Sequence, residues 1–342
     1  MSERIALGLI GCGFFAQNHL HSWQDLKPEG VDIVAVCDAD SERAKAAAER
    51  FGVPHWYTDA AEMFAKEQLG LVDIATTMGS HLPLVKVALS HRVPTIVQKP
   101  FGVDIAQVRQ MVESSKAAGV FLAVHENFRF QKPIRKIVEA MKSGAIGTPT
   151  WGRVSFRTGY DIYAGQPYLA EQERFVLIDV GVHVLDLARV LLGEVEHLTA
   201  ELQRRNPEAI GEDTATMLLR HKSGAVSMVE CTYGSRRVPD SFPETLIELE
   251  GDKGAIVSRI GNVVEVTING KMEAFDEDPA VLPWAERPWH VAQESVLATC
   301  RHMLEAVRAG RDADTSAADN FRTFALVEAA YEVAGKVVPT AR

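Results

Sequence analysis

The apolar run Ile5–Ile10 (IALGLI) passes without a break into Gly11-Cys-Gly13-Phe-Phe-Ala16 and then into a helix-forming stretch. Few folds accommodate that order. A short strand this apolar is covered on both faces. Gly11 permits a tight turn, Gly13 lets the backbone approach another group closely, and Ala16 lets the helix pack on the strand. The helix N-terminus then presents N–H donors and the positive end of its dipole, which suits a pyrophosphate. The pattern predicts a dinucleotide-binding turn that opens a parallel sheet, with Gly11, Gly13, Phe14 and Phe15 beside the cofactor.

The chain keeps that rhythm as far as Val124. Ile33–Cys37, Val72–Ala75, Thr95–Val97 and Val120–Val124 read as buried strands, separated by helical stretches such as Ser41–Phe51 (SERAKAAAERF), with Ser41 as N-cap and Gly52 as C-cap. Alternation of this kind builds a doubly wound parallel sheet. The pattern changes after a helix near Pro133–Lys142. Strands then come one after another: Trp151–Thr158, Leu198–Arg204, Thr214–His221, Val226–Tyr233, Thr245–Glu250, Ala255–Arg259 and Val263–Ile268, with hairpin signals at Ser223-Gly224, Gly251–Gly254 and Asn269-Gly270. Helices at Glu294–Ala309 and Ala317–Lys336 close the chain. The fold class is α/β: a Rossmann domain over residues 1–124, then an α+β domain over residues 125–342 with a large, mostly antiparallel open sheet. At 342 residues the chain is long for one core, which agrees with two domains.

A net charge of −10 disfavours nucleic acid and anionic membranes as partners. No apolar run approaches the ~20 residues of a membrane span, and the opening MSERIALGLIG lacks the features of a secretion signal. Cys12, Cys37, Cys231 and Cys300 are too scattered for a disulfide framework or a zinc knuckle. A reduced, cytoplasmic protein is expected.

The second strand ends at Asp38, and no basic residue comes after it until Arg43. A carboxylate there accepts from the adenine-ribose hydroxyls and repels a 2′-phosphate, so NAD is predicted over NADP. Gln98-Lys99-Pro100 stands at the carboxyl end of a later strand, where ligands bind in open α/β sheets. Asp179-Val-Gly-Val-His183-Val-Leu-Asp186 opens an apolar helix, and its i, i+4 and i+7 offsets put three polar side chains on one face. A metal site is the competing reading, but no second histidine completes His125-Glu126, because Arg129 stands there. No metal is expected.

The ordered set GCGFFA, IATTMGSHLPLVKVALSHRVPTIVQKP, ENFRFQKP, IDVGVHVLDLARVLLG and TSAADNFRTFALVEAAYE resembles the glucose–fructose oxidoreductase and inositol dehydrogenase (Gfo/Idh/MocA) family over nearly the whole chain. The resemblance implies an NAD(P)-dependent dehydrogenase of sugars, cyclitols or their derivatives, a homodimer or homotetramer paired through the open sheet. The family's Glu-Lys-Pro lysine falls on Lys99, its helical aspartate and histidine on Asp179 and His183, and its arginine on Arg129. Within the matched stretches Thr76, Thr77, His81, Gln98, Lys99 and Asn127 are candidates for the cofactor. Lys99, Arg129, Arg157, Tyr160, Asp179 and His183 are candidates for the substrate. The chain looks most like bacterial catabolic sugar dehydrogenases, with a pentose such as D-apiose nominated. His183 is expected to act as base and Lys99 to stabilise the reacting oxygen, with Asp179 orienting a neighbouring hydroxyl; Asp186 either fixes the histidine tautomer or is a helix-surface charge. Two other readings stay open: an NAD-dependent glycosidase with no net redox, and a non-catalytic NAD sensor. Gln98 departs from the family's glutamate. Restoring it should move the pH–rate profile upward, because a carboxylate holds an ammonium charged.

Overall fold

The structure, a computed structural model, describes residues 4–335. It separates into two compact units: the chain up to Phe130 together with Gln293–Arg322, and Gln131–Ala292 together with the chain from Thr323 onward. A single cut between residues 124 and 125 therefore misses the return of a late segment to the first unit.

The first unit holds a six-stranded sheet in the order β3-β2-β1-β4-β5-β6. The strands are β1 (Ile5–Ile10), β2 (Val31–Cys37), β3 (His55–Tyr57), β4 (Leu71–Ile74), β5 (Thr95–Gln98) and β6 (Leu122–His125). Every neighbouring pair is parallel. The short, polar-edged β3 carries no apolar alternation, so no sequence pattern marks it. Helices α1 (Ala16–Asp25), α2 (Ser41–Phe51), α3 (Ala60–Lys66), α4 (His81–Ser90) and α5 (Ile105–Ala118) supply the crossovers. Asp40, not Ser41, caps α2, its carboxylate accepting from the Glu42 and Arg43 amides; Gly52 ends the helix in the left-handed conformation, as expected. Order reverses between β1 and β4, the switch point at which such sheets bind ligands. The outer edge of β6 is covered by the returning segment: the Val124 amide donates to the Thr315 carbonyl at 2.9 Å and the Thr315 hydroxyl to the Val124 carbonyl at 2.7 Å. That pairing satisfies an otherwise open edge and draws Gln293–Arg322 into this unit.

In the second unit α6 (Lys132–Lys142), α7 (Ile162–Gly165) and α8 (Val182–Leu192) accompany an eight-stranded sheet, and α9 (His290–Ala309) and α10 (Ala317–Val333) complete the described helices. Lys336, the expected end of the last helix, lies outside the described residues. The strands are β7 (Pro149–Arg157), β8 (Val195–Gln203), β9 (Thr214–His221), β10 (Val226–Thr232), β11 (Leu246–Gly251), β12 (Gly254–Arg259), β13 (Val263–Ile268) and β14 (Lys271–Asp276). Their order is β14-β13-β12-β11-β7-β10-β9-β8, antiparallel except between β7 and β10. The exposed β14, like β3, has no apolar alternation to announce it. Helix α8 lies against the face carrying Gly152, where a Cβ would stand 2.8 Å from a Leu192 methyl. Val154, Phe156, Val229 and Cys231 are buried on that face. None of the described helices is long and apolar enough to cross a membrane.

Candidate active site

Gly11 leaves β1 at φ +98°, and a Cβ there would lie 2.6 Å from the Ala75 carbonyl oxygen. Backbone and crowding both demand glycine. Gly13 has open space where a Cβ would stand. Helix α1 begins with no side-chain cap, which leaves its first amides available to an anion. At the end of β2 the Asp38 carboxylate is fixed by two amides, Cys12 N–H at 2.7 Å and Asp40 N–H at 2.9 Å. This turn fits NAD: Gly11–Phe15 for the pyrophosphate, Asp38 for the ribose hydroxyls, and a local negative charge that opposes a 2′-phosphate. Burial and the Asp38 charge push the thiols of Cys12 and Cys37 up to about 12, so both remain protonated packing groups. Among the described residues all four cysteines are free and buried.

Beyond β4 the Thr76 hydroxyl accepts from Ser80 Oγ at 2.7 Å, and Thr77 is exposed. His81 is fully buried, with Nε2 3.1 Å from the Thr76 carbonyl and Nδ1 3.1 Å from that of Phe101. Burial lowers its pKa and so favours the neutral ring, whose single N–H donates to one of these carbonyls. Lys99, half-buried, comes directly after β5 and is joined to Pro100 by a cis peptide bond.

Beneath it lies a buried polar network that no sequence motif announced. The Lys99 amide donates to Gln98 Oε1 at 2.6 Å, and Gln98 Nε2 is 3.1 Å from His19 Nε2. His19 Nδ1 is 2.8 Å from Asp73 Oδ2, which also accepts from the Trp23 indole at 2.7 Å. Burial alone raises the Asp73 carboxyl, but His19 and the Trp23 bond hold it below its usual range. A signal existed: a carboxylate inside a strand buried on both faces requires a buried partner.

His125 packs against His19, the rings tilted by 39° with centroids 4.2 Å apart. Burial pushes its imidazole down from 6.5 to about 3. The unfolded chain therefore binds one more proton between those limits. Stability on this account is complete above pH 6.5 and falls by about 1.4 kcal/mol per pH unit as the pH drops toward 3. Urea unfolding across that window should give a curve one proton steeper for the wild type than for His125→Leu; parallel curves would exclude the assignment.

In the second unit, a π-helical turn, Leu177–Gly181, precedes α8. Glu212 organises it, its carboxylate accepting from the amides of Phe175 at 3.2 Å and Leu177 at 3.1 Å, and from the Tyr331 hydroxyl. No sequence pattern pointed to Glu212. On this turn Asp179 Oδ2 accepts from the Tyr233 hydroxyl at 2.7 Å. Burial and the Asp179 charge hold the Tyr233 phenol well above its ordinary range, so it remains the donor. His183, only 2% exposed, stands in the first turn of α8. The expected single helical face is corrected: the wider turn breaks the α-helical offset between Asp179 and the later residues. Asp186 is not a helix-surface charge, because it is fully buried and Oδ1 accepts from Thr323 Oγ1 at 2.7 Å.

Three other candidates change meaning. Arg157 alternates with Phe156 and so lies on the sheet face away from α8, where it donates to Glu230 at 2.7 Å. Arg129 donates to the Asp319 carboxylate, and to the Asp314 carbonyl at 2.7 Å, so its charge is neutralised within the first unit. Asn127 is buried and donates to Ser295 Oγ at 2.7 Å. Tyr160, by contrast, is exposed and stacks on Phe242 with centroids 4.0 Å apart.

Comparison with known proteins agrees with this geometry. Residues 5–126 match an oxidoreductase family with an NAD-binding Rossmann fold, and residues 134–257 match the Gfo/Idh/MocA C-terminal domain. A D-apiose dehydrogenase of Rhizobium rhizogenes is 49% identical, covering 95% of this chain and 94% of its own. A D-apiose dehydrogenase of Paraburkholderia graminis is 47% identical, covering 96% and 87%. The crystal structure of an oxidoreductase from Agrobacterium radiobacter in complex with NAD+, L-tartaric acid and magnesium matches with a TM-score of 0.94 at 49% identity, covering 97% of this chain and 96% of that one. The dinucleotide turn, the lysine after β5 and the two-domain match together place the chain in the Gfo/Idh/MocA family of NAD-binding oxidoreductases.

Proposed function

We propose that the protein oxidises D-apiose, or a closely related pentose, to its lactone with NAD as oxidant. It is an NAD-dependent dehydrogenase of CH–OH groups. The observation that carries the narrower substrate is the near-half identity, over almost the full chain, to two D-apiose dehydrogenases.

Oxidising the anomeric carbinol removes two electrons and two protons, and one proton must leave the hydroxyl. Bound NAD supplies the acceptor for the electron pair. His183 takes the hydroxyl proton on an imidazole nitrogen. The Lys99 ammonium donates a hydrogen bond to the same oxygen and stabilises the negative charge that develops there. Asp179, held by the Tyr233 hydroxyl, accepts from a neighbouring substrate hydroxyl and fixes which carbon is presented. Tyr160 offers an exposed ring to the sugar's C–H surface. The products are lactone, NADH and a proton.

The purified protein should reduce NAD in the presence of D-apiose, with the lactone detected by NMR, and should do so faster than with other pentoses or cyclitols. Efficient turnover of a cyclitol alongside inertness to D-apiose would replace the substrate. Cleavage of a glycoside without accumulation of NADH would move the enzyme to the glycosidase reading. Its place is the cytoplasm, where NAD and reduced thiols belong. Copies pair through the outer face of the eight-stranded sheet, where Leu218 is 55% exposed on β9. Light scattering of wild type and Leu218→Asp checks the pairing, with dissociation of the variant expected.

A further inference from the structure

Asp73 brings a carboxylate to full burial within β4, and the chain of hydrogen bonds that begins there ends on the backbone of Lys99. The identity of the two terminal groups fixes every proton between them. The Lys99 amide can only donate, so Gln98 presents Oε1 to it at 2.6 Å and turns its NH2 toward His19. His19 Nε2, 3.1 Å from that NH2, must then accept. Its one ring proton is on Nδ1, directed at Asp73 Oδ2 at 2.8 Å. No other arrangement of a single proton satisfies all three bonds.

We propose that Asp73, His19 and Gln98 form a positioning relay for Lys99, and that the relay is intact only while His19 is the neutral, Nδ1-protonated tautomer. The proposal rests on the reading of Lys99 as the group that hydrogen-bonds the reacting oxygen. A second proton on His19 would set two donors against each other at Nε2. Rotating the Gln98 amide to relieve this would put its NH2 against the Lys99 amide and break the anchor. The groups around His19 are Asp73 on β4, Gln98 and Lys99 at the end of β5, His125 on β6, Cys300 on α9 and the Phe15 ring before α1. Of these, only Asp73 offers His19 a negative charge.

The relay also revises what a glutamate at position 98 would do. A carboxylate accepts from the Lys99 amide but cannot donate to His19, so His19 must take up a proton and stand as imidazolium between two carboxylates. The added negative charge is cancelled beside the place where it appears. Gln98→Glu should therefore leave the Lys99-dependent limb of the pH–rate profile close to its wild-type position, not move it upward.

Neutron diffraction from deuterated crystals of the NAD complex reads these protons directly. Wild type should carry deuterium on His19 Nδ1 and none on Nε2, and Gln98→Glu should carry it on both. Deuterium on Nε2 of the wild type overturns the relay. So does a metal ion bound by His19, His125 and Cys300, whose ligand atoms lie within 4.8 Å of one another. In kinetics, His19→Leu should lower kcat by about 10–100-fold with KM for NAD little changed, the usual effect of losing a group that orients a catalytic residue. His19→Gln should recover most of that loss, because its amide can accept from Gln98. A wild-type kcat in His19→Leu while Lys99→Ala is inactive overturns the relay alone. Wild-type turnover by Lys99→Ala removes the assigned role of Lys99 instead, whatever the proton positions are.

Discussion

His183→Ala is expected to lower kcat by about 10²–10⁴-fold, the range a positioned general base contributes, and to leave NAD affinity within a few-fold of wild type. The separation comes from where the groups reside. The dinucleotide turn, with Gly11, Gly13 and Asp38, belongs wholly to the first unit, whereas His183 belongs to the second. Lys99→Ala should produce a loss of similar order, because in the proposed mechanism it removes the donor to the oxygen that gives its proton to His183. The double variant is more informative than either single one. Groups that act on one oxygen in one step fail as a unit, so Lys99→Ala/His183→Ala should be little slower than the slower single variant. Losses that multiply would mean the two residues act in separate steps. NAD affinity measured by fluorescence in all three variants keeps a binding defect from being mistaken for a chemical one.

The first unit was legible because its constraints are local. A strand, a glycine turn and a helix in immediate succession leave little freedom, and Gly11 confirms it with a positive φ and no room for a Cβ. The position of Asp38 directly after β2, where two amides hold its carboxylate, also follows from local pattern. Features that depend on chain segments far apart in sequence were not legible. The return of Gln293–Arg322 answers the open edge of β6, a need that no local pattern expresses. Glu212 shapes the turn before α8 from the loop after β8, so the π-helical geometry around Asp179 could not be anticipated from helical offsets. Two further features were within reach of local pattern. Period-two alternation through Val154, Ser155, Phe156 and Arg157 already assigns Arg157 to the face opposite Phe156. Asp73, the one charge in an apolar strand, already calls for a buried partner.

Asp186→Ala is expected to destabilise the protein by about 3–5 kcal/mol, the range found when one partner of a buried charged network is removed. Asp186 is fully buried and accepts from Thr323 Oγ1 at 2.7 Å, and that hydroxyl in turn accepts from Arg189 Nη1 at 2.6 Å. Arg189, itself 5% exposed, also donates to Glu194 at 2.7 Å. Truncating Asp186 takes the carboxylate acceptor from the buried Thr323 hydroxyl and removes the negative charge 3.8 Å from Arg189 Nη1. Asp186→Asn keeps a carbonyl oxygen for Thr323 and removes only the charge, so its loss should be clearly smaller. The pair of variants also decides whether Asp186 orients the base. If its work is to tie α8 to Thr323 of α10, the folded fraction of Asp186→Asn should retain near-wild-type kcat. If it holds the His183 tautomer, Asp186→Asn should lose kcat by orders of magnitude while unfolding at nearly the wild-type denaturant concentration. Chemical denaturation and turnover measured on the same preparation separate the two, and the bond to Thr323 with the Arg189 ion pair favours the first.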